Sequence, residues 1–182
     1  TLVAALLLVS TGSFCFAGEQ IDNPQYKSWA KYKPGTSVTV KTQTDMDGSQ
    51  NEMETTTTLA DLTAEKAVVE TKMAVVAAGQ KMEMPASKMV IPAKIDKPVA
   101  DPADATNTPK ADVKEGTEIL EVAGQKIDCK WVQTKTTVGG KNGVSKVWTS
   151  DAVPTGMVKM DTNLEGDSKG SIKMMMTALV IK

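Results

Sequence analysis

The sequence predicts an all-β fold: a curved antiparallel sheet or half-barrel of about nine strands with one short N-terminal helix. Two observations indicate this class. Segments rich in Val, Thr and Met alternate apolar with polar residues along most of the chain, which is typical of half-buried strands. Short turn sequences separate these segments, including Asp47–Gly48 and Asn142–Gly143, dipeptides that favour tight hairpins. Each strand is therefore expected to pair with the next.

The helical signal lies ahead of the first strand. Asn23 followed by Pro24 is an N-cap with proline at the first helical position. Tyr26 and Trp29 then fall on one helical face, and a Lys-Pro-Gly sequence ends the pattern. The sequence thus predicts a helix over residues 23–32.

Nine strands are predicted after the helix, and one long loop interrupts them. The loop, residues 91–116, contains four prolines and few large apolar residues, and loops of this length are usually functional or disordered. We interpret residues 18–182 as a single domain. The predicted strands are residues 36–44, 52–59, 66–76, 81–89, 118–122, 126–138, 144–149, 157–164 and 171–181.

The start of the chain resembles a secretory signal. Residues 2–9 are eight consecutive apolar residues, too few to cross a bilayer but typical of a signal-peptide core. Cys15 and Ala17 are small residues at the −3 and −1 positions of a cut after Ala17. We interpret residues 1–17 as a signal-peptide remnant, which predicts a secreted or periplasmic protein without a transmembrane segment. Whether Cys15 is lipidated stays open.

Charge composition excludes several functional classes. The chain has 22 acidic residues and 21 cationic ones, all lysine, for a net charge of −1, and no histidine. A nucleic-acid-binding domain normally carries a basic excess, so we expect no nucleic-acid partner. The usual bases and anion clamps, His and Arg, are absent, so we expect no enzyme, catalytic residue or cofactor.

The 11 methionines allow three interpretations. They fill the core in place of Leu and Phe, or they line an adaptable apolar groove. A third alternative is a Cu(I) site of soft sulfur ligands, formed by Met82, Met84 and Met89 with Cys129. Otherwise we expect Cys129 to point into the core beside Trp131.

The last predicted strand is apolar on both faces, which requires cover on both sides. Alternation assigns Met174, Met176 and Val180 to one face and Met175 and Leu179 to the other. The cover is the helix, the long loop, a ligand or a partner chain.

Residues 18–182 resemble, over nearly their whole length, a family of uncharacterised secreted bacterial proteins. The segments that carry the resemblance are Trp29 with residues 33–38, residues 129–131 and residues 147–160, and the most specific is the Trp-x4-Val-Pro-x-Gly-x-Val-Lys stretch at residues 148–159. This stretch is also similar to one in periplasmic lipoprotein carriers, in which a strongly curved antiparallel sheet wraps around a helix. The resemblance implies that fold and a concave apolar face that holds acyl chains. It implies no catalytic residues.

We therefore expect a non-catalytic binding module for an apolar or lipid-like ligand. The predicted lining is Trp131, Val158, Met160, Met174 and Met176, with residues 91–116 as a lid. The alternative is a structural or protein-interaction component of the cell envelope, for instance a homodimer formed through the last strand.

Overall fold

A computed structural model describes residues 19–77, 80–97, 112–138, 141–165 and 169–182. The predicted signal remnant and Cys15 lie outside the described residues. Twelve strands and one helix occur in the described part of the chain. In chain order these are β1 (Gln20–Asp22), α1 (Pro24–Trp29), β2 (Ser37–Met46), β3 (Ser49–Leu62), β4 (Lys66–Ala77), β5 (Gln80–Glu83), β6 (Ser87–Pro92), β7 (Lys94–Asp96), β8 (Asp112–Val122), β9 (Gln125–Val138), β10 (Lys141–Thr149), β11 (Met157–Glu165) and β12 (Gly170–Val180).

Ten of the strands form one antiparallel sheet in the order β5-β4-β3-β2-β12-β11-β10-β9-β8, with β6 also paired to β4. Two meanders, β2 to β6 and β8 to β12, are joined where β12 pairs with β2. The sheet is curled: β8 lies near β12, although three strands separate them in the strand order. The predicted fold class, a mostly-β antiparallel sheet with one short helix, is confirmed.

The helix begins as the sequence predicts and ends earlier. The Asn23 side chain accepts a hydrogen bond from the Gln25 backbone N–H at 3.0 Å, and Pro24 occupies the first turn. The Asn23 amide also donates to the Pro92 carbonyl at 2.9 Å, which ties the helix start to β6. The α-helix is only six residues long, so its stability depends on packing rather than on its own hydrogen bonds.

Two apolar clusters form the core. One lies under the helix, where Trp29 packs with residues of β3, β4 and β6. The other lies around the loop that follows β10 and includes Cys129, as expected for that thiol. The first cluster is Trp29, Leu59, Ala67, Val69 and Ile91, and the second is Val38, Val122, Ile127, Cys129, Trp148, Val153, Val158 and Met176.

The structure corrects two predicted elements. The strand expected at 81–89 is two strands, β5 and β6, separated by a segment with Pro85 that cannot donate a ladder hydrogen bond. The irregular segment predicted at 91–116 is shorter than expected, since that range contains β7 and the first residues of β8. Residues 98–111, the central part of the predicted lid, lie outside the described residues.

Strands β1 and β7 form a separate two-stranded sheet beside the helix. The Asp22 carboxylate lies 2.8 Å from the Lys27 ammonium and 2.9 Å from that of Lys94. Hydrogen bonds from Lys27 and Lys94 lower the pKa of Asp22 to about 2. This carboxylate therefore links α1 to the β1–β7 pair.

Candidate functional site

A row of apolar side chains crosses the sheet from β9 to β5. Directly paired residues of neighbouring antiparallel strands lie on the same face, and the register joins eight strands in this way without an intervening bulge. All members are half-buried or exposed, and none belongs to either core cluster. We call this set the methionine row: Val132, Val147, Met160, Met174, Thr42, Met53, Val75 and Met82.

The rows on either side of the methionine row, on the same face, contain a single charged residue, Lys130, which pairs with Thr149 at the β9 end. One consists mainly of hydroxyl and amide side chains, in which Ser145 and Thr162 share a hydrogen bond of 2.9 Å. The other continues the apolar character across β12, β2, β3 and β4. Their members are Thr134, Ser145, Thr162, Ile172, Thr44 and Asn51 on one side, and Met176, Val40, Thr55 and Met73 on the other.

The opposite face of the same strands is charged. Two rows of this face run from β9, next to the tryptophans, to the outer strand β5, and both contain lysines and carboxylates. The Lys41 ammonium lies 2.7 Å from the Glu52 carboxylate, and that of Lys159 lies 2.9 Å from Asp161. The two rows are Trp131, Trp148, Lys159, Met175, Lys41, Glu54, Ala74 and Glu83, and Gln133, Lys146, Asp161, Lys173, Gln43, Glu52, Val76 and Lys81.

The tryptophans of this charged face are held by cations and a carboxylate. The Lys146 ammonium lies 4.2 Å from the ring centroid of Trp131 and 4.4 Å from that of Trp148, both within cation–π range. The Trp148 indole N–H donates to Glu118 at 2.8 Å. This hydrogen bond lowers the pKa of Glu118 below its ordinary value, and the nearby Lys146 and Lys159 contribute in the same direction. Local partners thus satisfy the Trp148 indole N–H and the Lys146 ammonium.

A cleft of about 1100 Å³ adjoins the methionine row at Val147. It lies between the loop at residues 150–156 and strands β8 to β10, and its apolar lining includes Ile119 and Met157. Lys130 and Thr149, which pair with each other next to Val147 on the same face as the methionine row, also line it. The volume of this cleft is comparable with the upper end of small-molecule pockets, but its lining also includes the charged residues Glu118, Asp128, Lys130 and Asp151.

The structure separates the five residues predicted to line a ligand site. Met160 and Met174 are direct cross-strand partners in the methionine row. Val158 and Met176 are each 1% exposed and belong to the core. Trp131 lies in the row that contains Met175, which is on the other face from Met160 and Met174. The five residues therefore do not form one surface, although the ligand site itself stays a prediction.

The sequence did not identify the other apolar members of the row. Met53, Val75, Val132 and Val147 alternate on their own strands like ordinary core positions. Their alignment with Met160 depends on the register of seven strand pairs, which alternation within one strand does not specify.

The remaining methionines divide between core and surface. Met176 is buried as the core interpretation requires, whereas Met82, Met84 and Met89 are 49–56% exposed. The Cu(I) alternative fails on geometry, because seven strand positions separate β5 from β9, where Cys129 is buried. Burial also raises the pKa of the Cys129 thiol. No group of His, Cys, Asp and Glu suited to a metal ion occurs within the described residues.

The last strand differs from its predicted faces because of a β-bulge. The register shifts between Met176 and Ala178, so that Leu179 pairs with Val38 and lies on the same face as Met176. Alternation placed Leu179 on the opposite face. β12 is also central, with β11 and β2 bonded on either side, so a homodimer through this strand could involve only its faces.

Comparisons with known proteins give one structural likeness. No family model and no curated protein matches the chain. A solved structure from Bacteroides fragilis, named as a presumed exported protein with a YMCC-like fold, is similar over 82% of this chain and 97% of its own. The TM-score is 0.45 and the identity 11%, so this likeness supports no argument about function. Among the described residues, no helix has the length and apolar character to span a membrane.

Proposed function

We propose that this chain is an exported, non-catalytic binding protein for an apolar or lipid-like ligand. The methionine row carries the proposal. A row of Met and Val side chains, partly buried on the central strands and exposed at Val132 and Met82, crosses eight strands, and the adjoining rows on these strands contain one charged residue, Lys130. Large apolar surfaces that stay exposed in a soluble chain usually mark binding sites.

The chemistry of the row favours an aliphatic ligand. Methionine is unbranched and adapts to irregular apolar shapes, and the flanking hydroxyl side chains have no charge to attract an ionic ligand. A bound hydrocarbon chain would be stabilised by about 25 cal/mol for each Å² of apolar surface removed from water. Export is supported by the signal-like residues 1–17, and the absence of His and Arg from the sequence supports a role without catalysis.

Native mass spectrometry of protein purified from a periplasm under mild conditions tests the proposal first. We expect additional mass that organic extraction removes. The purified chain should also bind a fluorescent fatty acid in titration.

Two neighbouring substitutions then locate the site. Met53→Glu introduces a charge into the methionine row, whereas Glu54→Met removes one from the opposite face. We expect Met53→Glu to weaken fatty-acid binding by about tenfold or more, because a charge would be desolvated against hydrocarbon, and Glu54→Met to leave it unchanged. Circular dichroism checks that both variants fold. A wild-type protein with no bound mass and no fatty-acid binding would contradict the proposal.

A structural or interaction role in the cell envelope is the second candidate. Its specific support is the outer edge of the sheet, where Met82, Met84, Met89 and Val90 are all about half exposed. A ligand-free mass together with no binding in the titration would favour this role.

A further inference from the structure

We propose that β5 pairs antiparallel with β5 of a second copy of this chain, around a two-fold axis at Met82. β5 is the outermost strand of the sheet, all four of its residues are exposed, and no described strand bonds its outer side. The proposed partner is the same edge strand of an identical chain. This inference does not depend on the proposed ligand.

Backbone geometry provides the hydrogen-bonding groups. The Met84 N–H donates to the Met73 carbonyl of β4 at 2.9 Å, so Met84 and, by alternation, Met82 direct their backbone groups inward. The N–H and C=O groups of Lys81 and Glu83 therefore face outward. In a two-fold pair centred on Met82, Lys81 of each copy stands opposite Glu83 of the other, and these residues exchange hydrogen bonds.

Charge complementarity fixes this register. Within one chain the Lys81 ammonium lies 3.6 Å from the Glu83 carboxylate, and both side chains are exposed, at 56% and 78%, so that each can exchange this partner for the opposite charge across the axis. A shift of the β5–β5 register by one residue would lose this charge match. It would also place Met82 opposite a charged residue, so that the apolar faces of the two sheets would no longer lie on the same side. The other outer strand, β8, carries four acids and one lysine, so its self-pairing would oppose two strands of like net charge.

The pairing also extends the apolar surface. Met82 is the last member of the methionine row, and its two-fold mate would be Met82 of the second copy. The rows of the two sheets would then meet end to end. Pro85 follows within two residues of β5 and limits the paired segment to about five residues. Because an interface this small is of the weak, transient class, we expect a concentration-dependent dimer.

Cysteine cross-linking tests the axis. Met82→Cys is compared with Met89→Cys, a control on the same outer edge with nearly the same exposure, 52% against 56%. The Met82 pair would be a non-hydrogen-bonded pair with Cα atoms about 4.5 Å apart, a distance that a disulfide spans. We expect Met82→Cys to form a covalent dimer under mild oxidation at least about tenfold faster than Met89→Cys. Equal rates would overturn the proposed axis.

Charge-reversed variants give a second test that needs no cysteine. Lys81→Glu and Glu83→Lys each place like charges across the axis, so each alone should remain monomeric in sedimentation at concentrations where the wild type dimerises. An equimolar mixture restores opposite charges at both positions and should form the heterodimer. A wild type that stays monomeric up to about 1 mM, or a mixture that fails to associate, would overturn the proposal.

Discussion

The two faces of the large sheet are built from the same strands and differ in almost every chemical respect. One face holds the methionine row and neighbouring rows whose one charged residue is Lys130, and the other alternates lysines with carboxylates beside two tryptophans. On the charged face, several of the ionic groups have local partners, as in the Lys41–Glu52 and Lys159–Asp161 pairs. On the other face, no described residue buries the row completely. Under the proposed function, the face with the methionine row is the one that contacts the ligand.

Adjacent methionines on β12 separate core from surface most sharply. Met176 is 1% exposed in the core, whereas Met175 on the other face is 47% exposed. We expect Met176→Ala to lower the free energy of unfolding by about 2–5 kcal/mol, because it removes a fully buried side chain and leaves a cavity. Met175→Ala should change it by at most about 0.5 kcal/mol. Urea denaturation measures both, and equal losses would contradict the assignment of faces.

Gly116 tests the packing of the charged face. It pairs with Trp131, and a Cβ atom at Gly116 would lie 2.6 Å from the indole ring. We expect Gly116→Ala to cost about 1–3 kcal/mol, because the ring must move from its place over the glycine and away from Lys146. Unfolding followed by tryptophan fluorescence reports both the loss and the ring displacement. Val113→Ala on the same strand, at an exposed position, is the control and should have little effect.

The smallest predicted effect is the contribution of Glu118 to the pH dependence of stability at acidic pH. Its pKa is lowered in the folded chain, so its contribution to stability is complete above the pKa of the unfolded chain and is lost as pH falls through the lowered value. The relevant window lies below about pH 4.3. Glu118→Gln should therefore reduce the fall in the urea midpoint between neutral and acidic pH. Glu121→Gln on the same strand is the matched control. If the two variants show the same pH dependence, the hydrogen bond between Glu118 and Trp148 is not the cause of the loss of stability in acid.

Local signals in the sequence predicted the elements well. The Asn23–Pro24 cap and the alternation of Val and Thr depend on neighbouring residues, so the helix start and most strands could be read directly. The break at Pro85 was missed although a proline within a predicted strand is itself a local signal against pairing, whereas the bulge after Met176 depends on the pairing of β12 with β2. The apolar surface was only partly predicted for the same reason. Met160 and Met174 were identified on their own strands, but their alignment with Met53 and Val75 results from long-range register.

The pairing of β2 with β12 has a consequence for how the protein folds. The paired residues are 124 to 143 positions apart in sequence, from Met46 with Gly170 to Ser37 with Val180. Contacts of such separation close slowly, because a long loop must be ordered before they form. Until β12 pairs with β2, each meander exposes an open edge, and the unpaired backbone groups of that edge can pair with other chains. The join that completes the sheet is thus the step at which aggregation competes with folding, and a chain crossing a membrane unfolded would face that competition on arrival.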